Sequence, residues 1–177
     1  MNIIMKNYVS GSDFGEVYRL FTDIDVNRMI IDKPDHNSMG TFTKWLESKL
    51  NGPFNDFMVF KTEDETFLGF AYSYEFKPLD GHCLFSLAVK PEYQRIGCGG
   101  AIAIKFLEYL FSTYALRKVY IHIYDYNEMS KKCIDGFGAQ TEGILKDYHF
   151  WNGEYRDLLI YSITKEGFYE AIQRIKK

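Results

Sequence analysis

The stretch with the clearest chemical content is Gln94-Arg95-Ile96-Gly97-Cys98-Gly99-Gly100-Ala101, which joins an apolar run, Leu84 to Val89, to a long amphipathic pattern. A strand that passes through three glycines into a helix builds an anion site. The first turn of a helix leaves about four backbone N–H groups without internal partners, and the helix dipole favours negative charge there. Gly97, Gly99 and Gly100 carry no side chain to hold a ligand off the backbone, so a pyrophosphate is the expected guest. Two common phosphate loops are excluded. Gly99-Gly100-Ala101 lacks the Gly-Lys-Ser/Thr of a Walker loop, and Ile102 stands where the dinucleotide fingerprint requires a glycine. The order Gln94-x-x-Gly97-x-Gly99 remains, beside the plainer reading of a glycine-rich connection without a ligand.

The elements that must position this loop read as an alternation of strands and helices. Asn2 to Val9 suits a first strand. Asp13 to Glu16 has the form of a capping box ahead of Val17, Tyr18 and Phe21. Thr22 to Gly40 is polar and irregular, and a second helix is expected over Thr41 to Leu50, stopped at Asn51-Gly52-Pro53. Phe57 to Lys61, Phe67 to Phe76 and Cys83 to Val89 carry strand composition, and Pro91 ends the third. After Gly100, Ala103, Phe106, Leu107, Leu110, Phe111 and Tyr114 form one helical stripe. Val119, Ile121 and Ile123 alternate with Tyr120, His122 and Tyr124 as a strand. A short helix is expected from Glu128 to Phe137. Thr141 to Trp151 and Glu154 to Ile163 then form a hairpin about Asn152-Gly153. A last helix from Thr164 would bury Phe168, Ala171, Ile172 and Ile175. Consecutive strands in the middle and alternation later predict an α/β (α+β mixed) domain, a mixed sheet with helices on its faces.

Gln94 to Gly99 resembles the coenzyme A pyrophosphate loop of the GNAT acetyltransferases. The flanks extend the resemblance. Leu87-Ala88-Val89-Lys90-Pro91-Glu92-Tyr93-Gln94 is similar to the strand and Val-x-Pro-x-x-Gln/Arg segment that opens this loop in the family. Asn127-Glu128-Met129-Ser130 is similar to its Asn-x-x-Ser/Ala segment. Of the family's later Gly-Phe and Glu-Gly pairs, Glu142-Gly143 is present, while Gly138 is followed by Ala139. The tail Asp147 to Ile163, with its Asn-Gly hairpin and Asp157-x-x-x-Tyr161, resembles the ribosomal-protein N-terminal (Rim-type) branch, which also holds polyamine and antibiotic acetyltransferases. The fold implied is that of the GNAT acyl-coenzyme A N-acyltransferases, with a central mixed sheet of about seven strands over a single domain spanning residues 1–177.

The activity implied is direct attack of an amine on acetyl-coenzyme A in a ternary complex, with no metal. By this resemblance the amides of Arg95, Ile96, Gly97, Cys98, Gly99, Gly100 and Ala101 would hold the pyrophosphate behind Gln94. The strand edge at Leu87, Ala88 and Val89 would pair with pantetheine, and one amide there would polarise the thioester carbonyl. Asn127 would bind the pantetheine arm, although it also reads as a helix N-cap. Arg95, Lys131 and Lys132 would reach phosphates or simply face solvent. Ile134 stands where many members carry a proton-donating Tyr, seven residues after the Asn. Ser130 is then the first candidate partner of the leaving sulfur, with Tyr126 and Tyr124 behind it. His149, with an ordinary pKa near 6.5, is the candidate base; an exposed strand histidine is its plain reading, and a structural role is that of His122. Asp23, Asp25, Asp32 and Asp35 fall where the family builds its acceptor site and would attract a cationic amine, or form a solvated acidic loop. The departures at Ile134 and Ala139 also fit a module that senses acetyl-coenzyme A without turnover. A nucleotide-binding enzyme is the third reading.

Composition closes off other classes. The 177 residues carry a formal charge of −3 with no basic run, unlike a nucleic-acid-binding footprint. No stretch approaches the ~18–20 apolar residues of a membrane span, and the N-terminal apolar stretch is too short for a signal peptide. Cys83, Cys98 and Cys133 have no metal-ligand spacing and an odd count, as free thiols in a reducing cytoplasm would. A homodimer is compatible with the resemblance.

Overall fold

In the computed structural model, which describes residues 1–35 and 38–175, seven strands form one sheet in the order β1-β2-β3-β4-β5-β7-β6. They are β1 (Ile4–Asn7), β2 (Phe57–Lys61), β3 (Phe67–Lys77), β4 (His82–Val89), β5 (Lys118–Tyr124), β6 (Gln140–Trp151) and β7 (Glu154–Thr164). Neighbours are antiparallel except β4 and β5. That parallel pair needs a crossover, and α4 (Cys98–Thr113) supplies it. The other helices are α1 (Ser10–Thr22), α2 (Ile24–Asn27), α3 (Met39–Leu50), α5 (Glu128–Asp135) and α6 (Lys165–Ile175). The expected mixed sheet is therefore present. No helix among the described residues is long and apolar enough to cross a membrane.

Period-2 alternation gives each sheet face its own core. On one face Val119, Ile121 and Ile123 of β5 pack with Cys83 and Phe85 of β4 and with the α4 stripe. Phe106, Leu107, Leu110 and Phe111 are completely buried there, each contributing about 2 kcal/mol of apolar burial. On the opposite face Leu84 and Ala88 of β4 and Phe70 and Tyr72 of β3 pack under Phe21, Phe42 and Trp45 of α1 and α3, with Tyr120 of β5 at the margin.

Several boundaries differ from the sequence reading, each for a local reason. α1 begins at Ser10. Asp13 is not its N-cap; it lies inside the first turn, where its carboxylate accepts the Val9 N–H (2.8 Å) and pairs with Lys61 Nζ (2.7 Å). Ser38 caps α3 through a reciprocal box with Thr41, so that helix starts at Met39. Within the segment read as irregular, Asp23 caps the short α2 by accepting from the Asp25 and Val26 amides; His36 and Asn37 of that segment lie outside the described residues. Pro91–Ile96 forms a 3-10 helix, and α4 begins at Cys98 instead of after Gly100. α5 stops at Asp135, short of Phe137. In α6, Phe168 and Ala171 are buried, but Ile172 is half-buried and Ile175 is 58 % exposed.

The contact between β3 and β4 is unusually close at Gly69. A Cβ there would lie 2.2 Å from the Ala88 carbonyl oxygen, which is backbone and has no way to rotate aside. Gly69→Ala is therefore expected to cost about 3 kcal/mol through overpacking, read as a lower urea midpoint at an unchanged slope.

Candidate active site

The site begins where β4 and β5 part. Their pairing runs through His82↔Lys118, Cys83↔Val119 and Leu84↔Tyr120 and stops, while β4 stays on β3 as far as Val89↔Gly69. From Phe85 onward the β5 side of β4 is open. The Lys90 amide donates to Leu68 O on the β3 side (2.9 Å). Because amides alternate along a strand, Ala88 and Ser86 also turn toward β3, and Leu87 and Val89 turn toward the opening. Ala88 thus drops out of the edge expected from the sequence. The Val89 carbonyl is already engaged, accepting from Gln94 Nε2 at 2.9 Å, which ties the loop to the strand end.

The loop delivers the helix terminus to that opening. The 3-10 helix uses its amides internally in the i→i+3 pattern, so Arg95 and Ile96 offer exposed side chains more than free N–H groups. Gly97 then takes φ 81°, a left-handed turn that glycine adopts freely, and serves as N-cap of α4. The Ala101 amide donates back to Gly97 O (3.1 Å), which leaves Cys98, Gly99 and Gly100 as the unspent donors. A Cβ on Gly99 would meet Val89 Cγ2 at 3.8 Å, so this glycine borders the passage between loop and strand. The Cys98 thiol points inward, is 1 % exposed, and is pushed up by burial; it is not a nucleophile poised for attack.

Across the opening, Asn127 caps α5, its Oδ1 accepting the Ser130 amide at 3.1 Å. The Ser130 hydroxyl has no hydrogen-bond partner among the described residues and is half-buried. Lys131 is spent on Asp125 O and Glu128, both at 2.6 Å, whereas Lys132 is exposed. Ile134 is buried, so that position brings no hydroxyl. Tyr126 donates its hydroxyl to the Arg28 carbonyl (3.0 Å), and burial pushes it up to about 12.

The helical segment after α1 crosses the α1/α3 face of the sheet as a roof. Asp32 O accepts from both Trp45 Nε1 (2.9 Å) and Tyr72 Oη (3.1 Å). Its expected acidic character is mostly spent. Asp23 caps α2, Asp25 pairs with Arg28 (3.0 Å) and Asp32 pairs with Lys49 (2.6 Å); Asp35 is exposed and has no partner among the described residues. Under the roof His149 stacks on Tyr124 (centroids 4.5 Å) in a row with Tyr126 and Trp151. Burial and then the Lys33 charge hold its imidazole below the ordinary range.

His122, which the sequence reading left as structural, is the next residue of β5 on this face after the last paired residue, Tyr120. It is half-buried and forms no hydrogen bond among the described residues. Burial lowers its pKa, opposed by the Glu75 carboxylate. Glu75 reaches this face through a bulge in β3, between Tyr74↔Leu84 and Lys77↔His82, at φ 48°. The alternation of β5 was the signal for His122; nothing in the sequence announced the bulge.

The acetyltransferase (GNAT) domain family matches residues 3–140. An uncharacterized N-acetyltransferase of Bacillus subtilis, YoaA, is 33% identical over 75 residues, spanning 42% of each chain. A second, YokL, derived from prophage SPbeta, is 24% identical over 131 residues, covering 74% of this chain and 73% of its own. A crystal structure of the spermidine N-acetyltransferase from Vibrio cholerae in complex with CoA and spermine superposes with a TM-score of 0.85 at 18% identity, over 94% of this chain and 98% of that one, and so shares the fold. With its family match extending over most of its length and the fold common to both, the chain belongs to the GNAT family of acetyltransferases.

Proposed function

We propose that this chain transfers an acetyl group from acetyl-coenzyme A to a primary amine in a ternary complex. The observation that carries the reading is the parting of β4 from β5 directly beside the free amides of Cys98, Gly99 and Gly100. Those amides and the helix dipole suit a diphosphate. The Leu87 and Val89 edge suits the amide-bearing pantetheine arm, and the Leu87 N–H is placed to polarise a carbonyl lying in the opening. Acetyl-coenzyme A brings the activated acyl group; the residues supply position and proton transfer. His122 takes the proton from the amine, and the Ser130 hydroxyl hydrogen-bonds the departing sulfur. His149 remains the competing base. The spermidine N(1)-acetyltransferase of Vibrio cholerae, 30% identical over 74 residues, favours a polyamine acceptor, and the Rim-like hairpin favours a peptide N-terminus.

Purified protein is expected to release free thiol from acetyl-coenzyme A in the presence of amines, with the acceptor gaining the mass of one acetyl group. Absence of saturable coenzyme A binding would sink the assignment. Gly99→Ala should fold normally, since its methyl meets only ordinary contact, and should bind coenzyme A about tenfold more weakly, a loss of about 1.4 kcal/mol.

The two histidines separate by which substitution removes the acid limb of the pH profile. A base must be neutral to act, and both imidazoles sit below the ordinary 6.5, so activity should hold at neutral pH and fall only as pH drops beneath that value. His122→Gln should lower kcat by about 100-fold or more and erase this acid limb. If His149→Gln does so instead, the proton goes to His149.

A further inference from the structure

Segment 28–32 of the roof is a strap fastened at both ends. At one end the Asp32 carbonyl accepts from Trp45 Nε1 (2.9 Å) and Tyr72 Oη (3.1 Å), which holds it over β3. At the other end the Arg28 carbonyl accepts from Tyr126 Oη (3.0 Å), two residues past the end of β5. The Arg28 guanidinium lies over the Trp151 ring of β6 (5.7 Å). Between these ends Ile30 is buried in the core of the α1/α3 face. In the sheet β4 stands between β3 and β5, so β4 and the gap beside it pass beneath the strap.

Tyr126 is built for this fastening. Its ring stacks on Tyr124 (centroids 5.4 Å) and Trp151 (6.0 Å), with Arg156 over it at 5.7 Å. Asp125 in turn fixes Arg156 at 3.0 Å. A phenol has one proton to donate, and here it is committed to the Arg28 carbonyl, 98 residues away in the chain. Burial, which pushes this phenol up to about 12, works against its release. The following residue, Asn127, caps α5 on the side of the opening where Ser130 stands. One side chain therefore ties the roof to the strand end that leads into α5.

Resting on the acetyl-transfer reading above, we propose that Tyr126 is a positioning residue: its hydroxyl latches the strap across the opening, fixes where the acceptor amine stands against the acetyl carbonyl, and takes no part in proton transfer. The acyl donor is held elsewhere, by the Leu87 and Val89 edge and the amides of Cys98, Gly99 and Gly100. The acceptor occupies the space under the strap. Loosening the latch therefore weakens the hold on the amine and spares the hold on acetyl-coenzyme A.

Tyr126→Phe removes the hydroxyl and keeps the stacked ring. Amide hydrogen exchange, read by mass spectrometry with no substrate present, should rise about fivefold over residues 28–33 in this variant, the worth of one neutral hydrogen bond. Strand β5 and residues 97–101 should exchange as in the wild type. In turnover with spermidine or a peptide N-terminus as acceptor, KM for the amine should rise about fivefold, while kcat and KM for acetyl-coenzyme A stay within about twofold. A fall in kcat of about 100-fold marks a proton donor and overturns the positioning role. A lowered melting temperature, with exchange over the strap and both KM values unchanged, marks a merely structural hydroxyl and overturns it too. If no amine releases thiol, the acetyl-transfer reading falls, and exchange over the strap alone decides the latch.

Discussion

A strand backbone has one donor and one acceptor at every residue, and they must be satisfied somewhere. In this fold β4 keeps its partner on one side and loses it on the other after Leu84. The amides of Leu87 and Val89 are left facing a wedge inside the sheet instead of an outer edge. Most of the molecule serves to maintain that wedge. The crossover through α4 holds β4 and β5 parallel at one end, β7 pairs with β5 along its whole length, and the two cores clamp the diverging strands from above and below. A gap of this kind is an interior version of the unpaired edge that proteins normally cover.

Much of this was legible in the residues. Strand β5 and the α4 stripe were plain because burial on one face leaves a period in the sequence, β2 because an aromatic and β-branched run buried on both faces is strand composition, and Asn152-Gly153 marked the last hairpin by turn chemistry. The glycine loop was legible because only a few residue types admit a ligand to backbone amides. The misses lie where one residue type serves two purposes. Asp13 reads as a cap, and only the fold reveals Lys61 beside it. The aspartates between α1 and α3 read as a lure for cations, yet Asp25 and Asp32 meet Arg28 and Lys49 from within three residues and from another helix, respectively. Pattern reveals which groups are present; whether a charge is still available depends on partners distant in sequence.

His122 makes the same point on β5. By composition it is one polar residue in an alternating strand. Its significance comes from the register, because pairing ends two residues earlier, at Tyr120. The bulge that turns Glu75 to the same face lies in a different hairpin. The placement of both residues thus depends on two irregularities of the sheet, a divergence and a bulge, that no local propensity encodes.

The roof over the opening is fastened by main-chain oxygens: Asp32 O to Trp45 and Tyr72, and Arg28 O to Tyr126. An anchor made of backbone survives replacement of the side chains it carries. Positions along this segment are consequently free to drift while the half of the molecule that carries the glycine loop and the open β4 edge stays fixed. Divergence of sequence over a common architecture is what such a division of labour would produce.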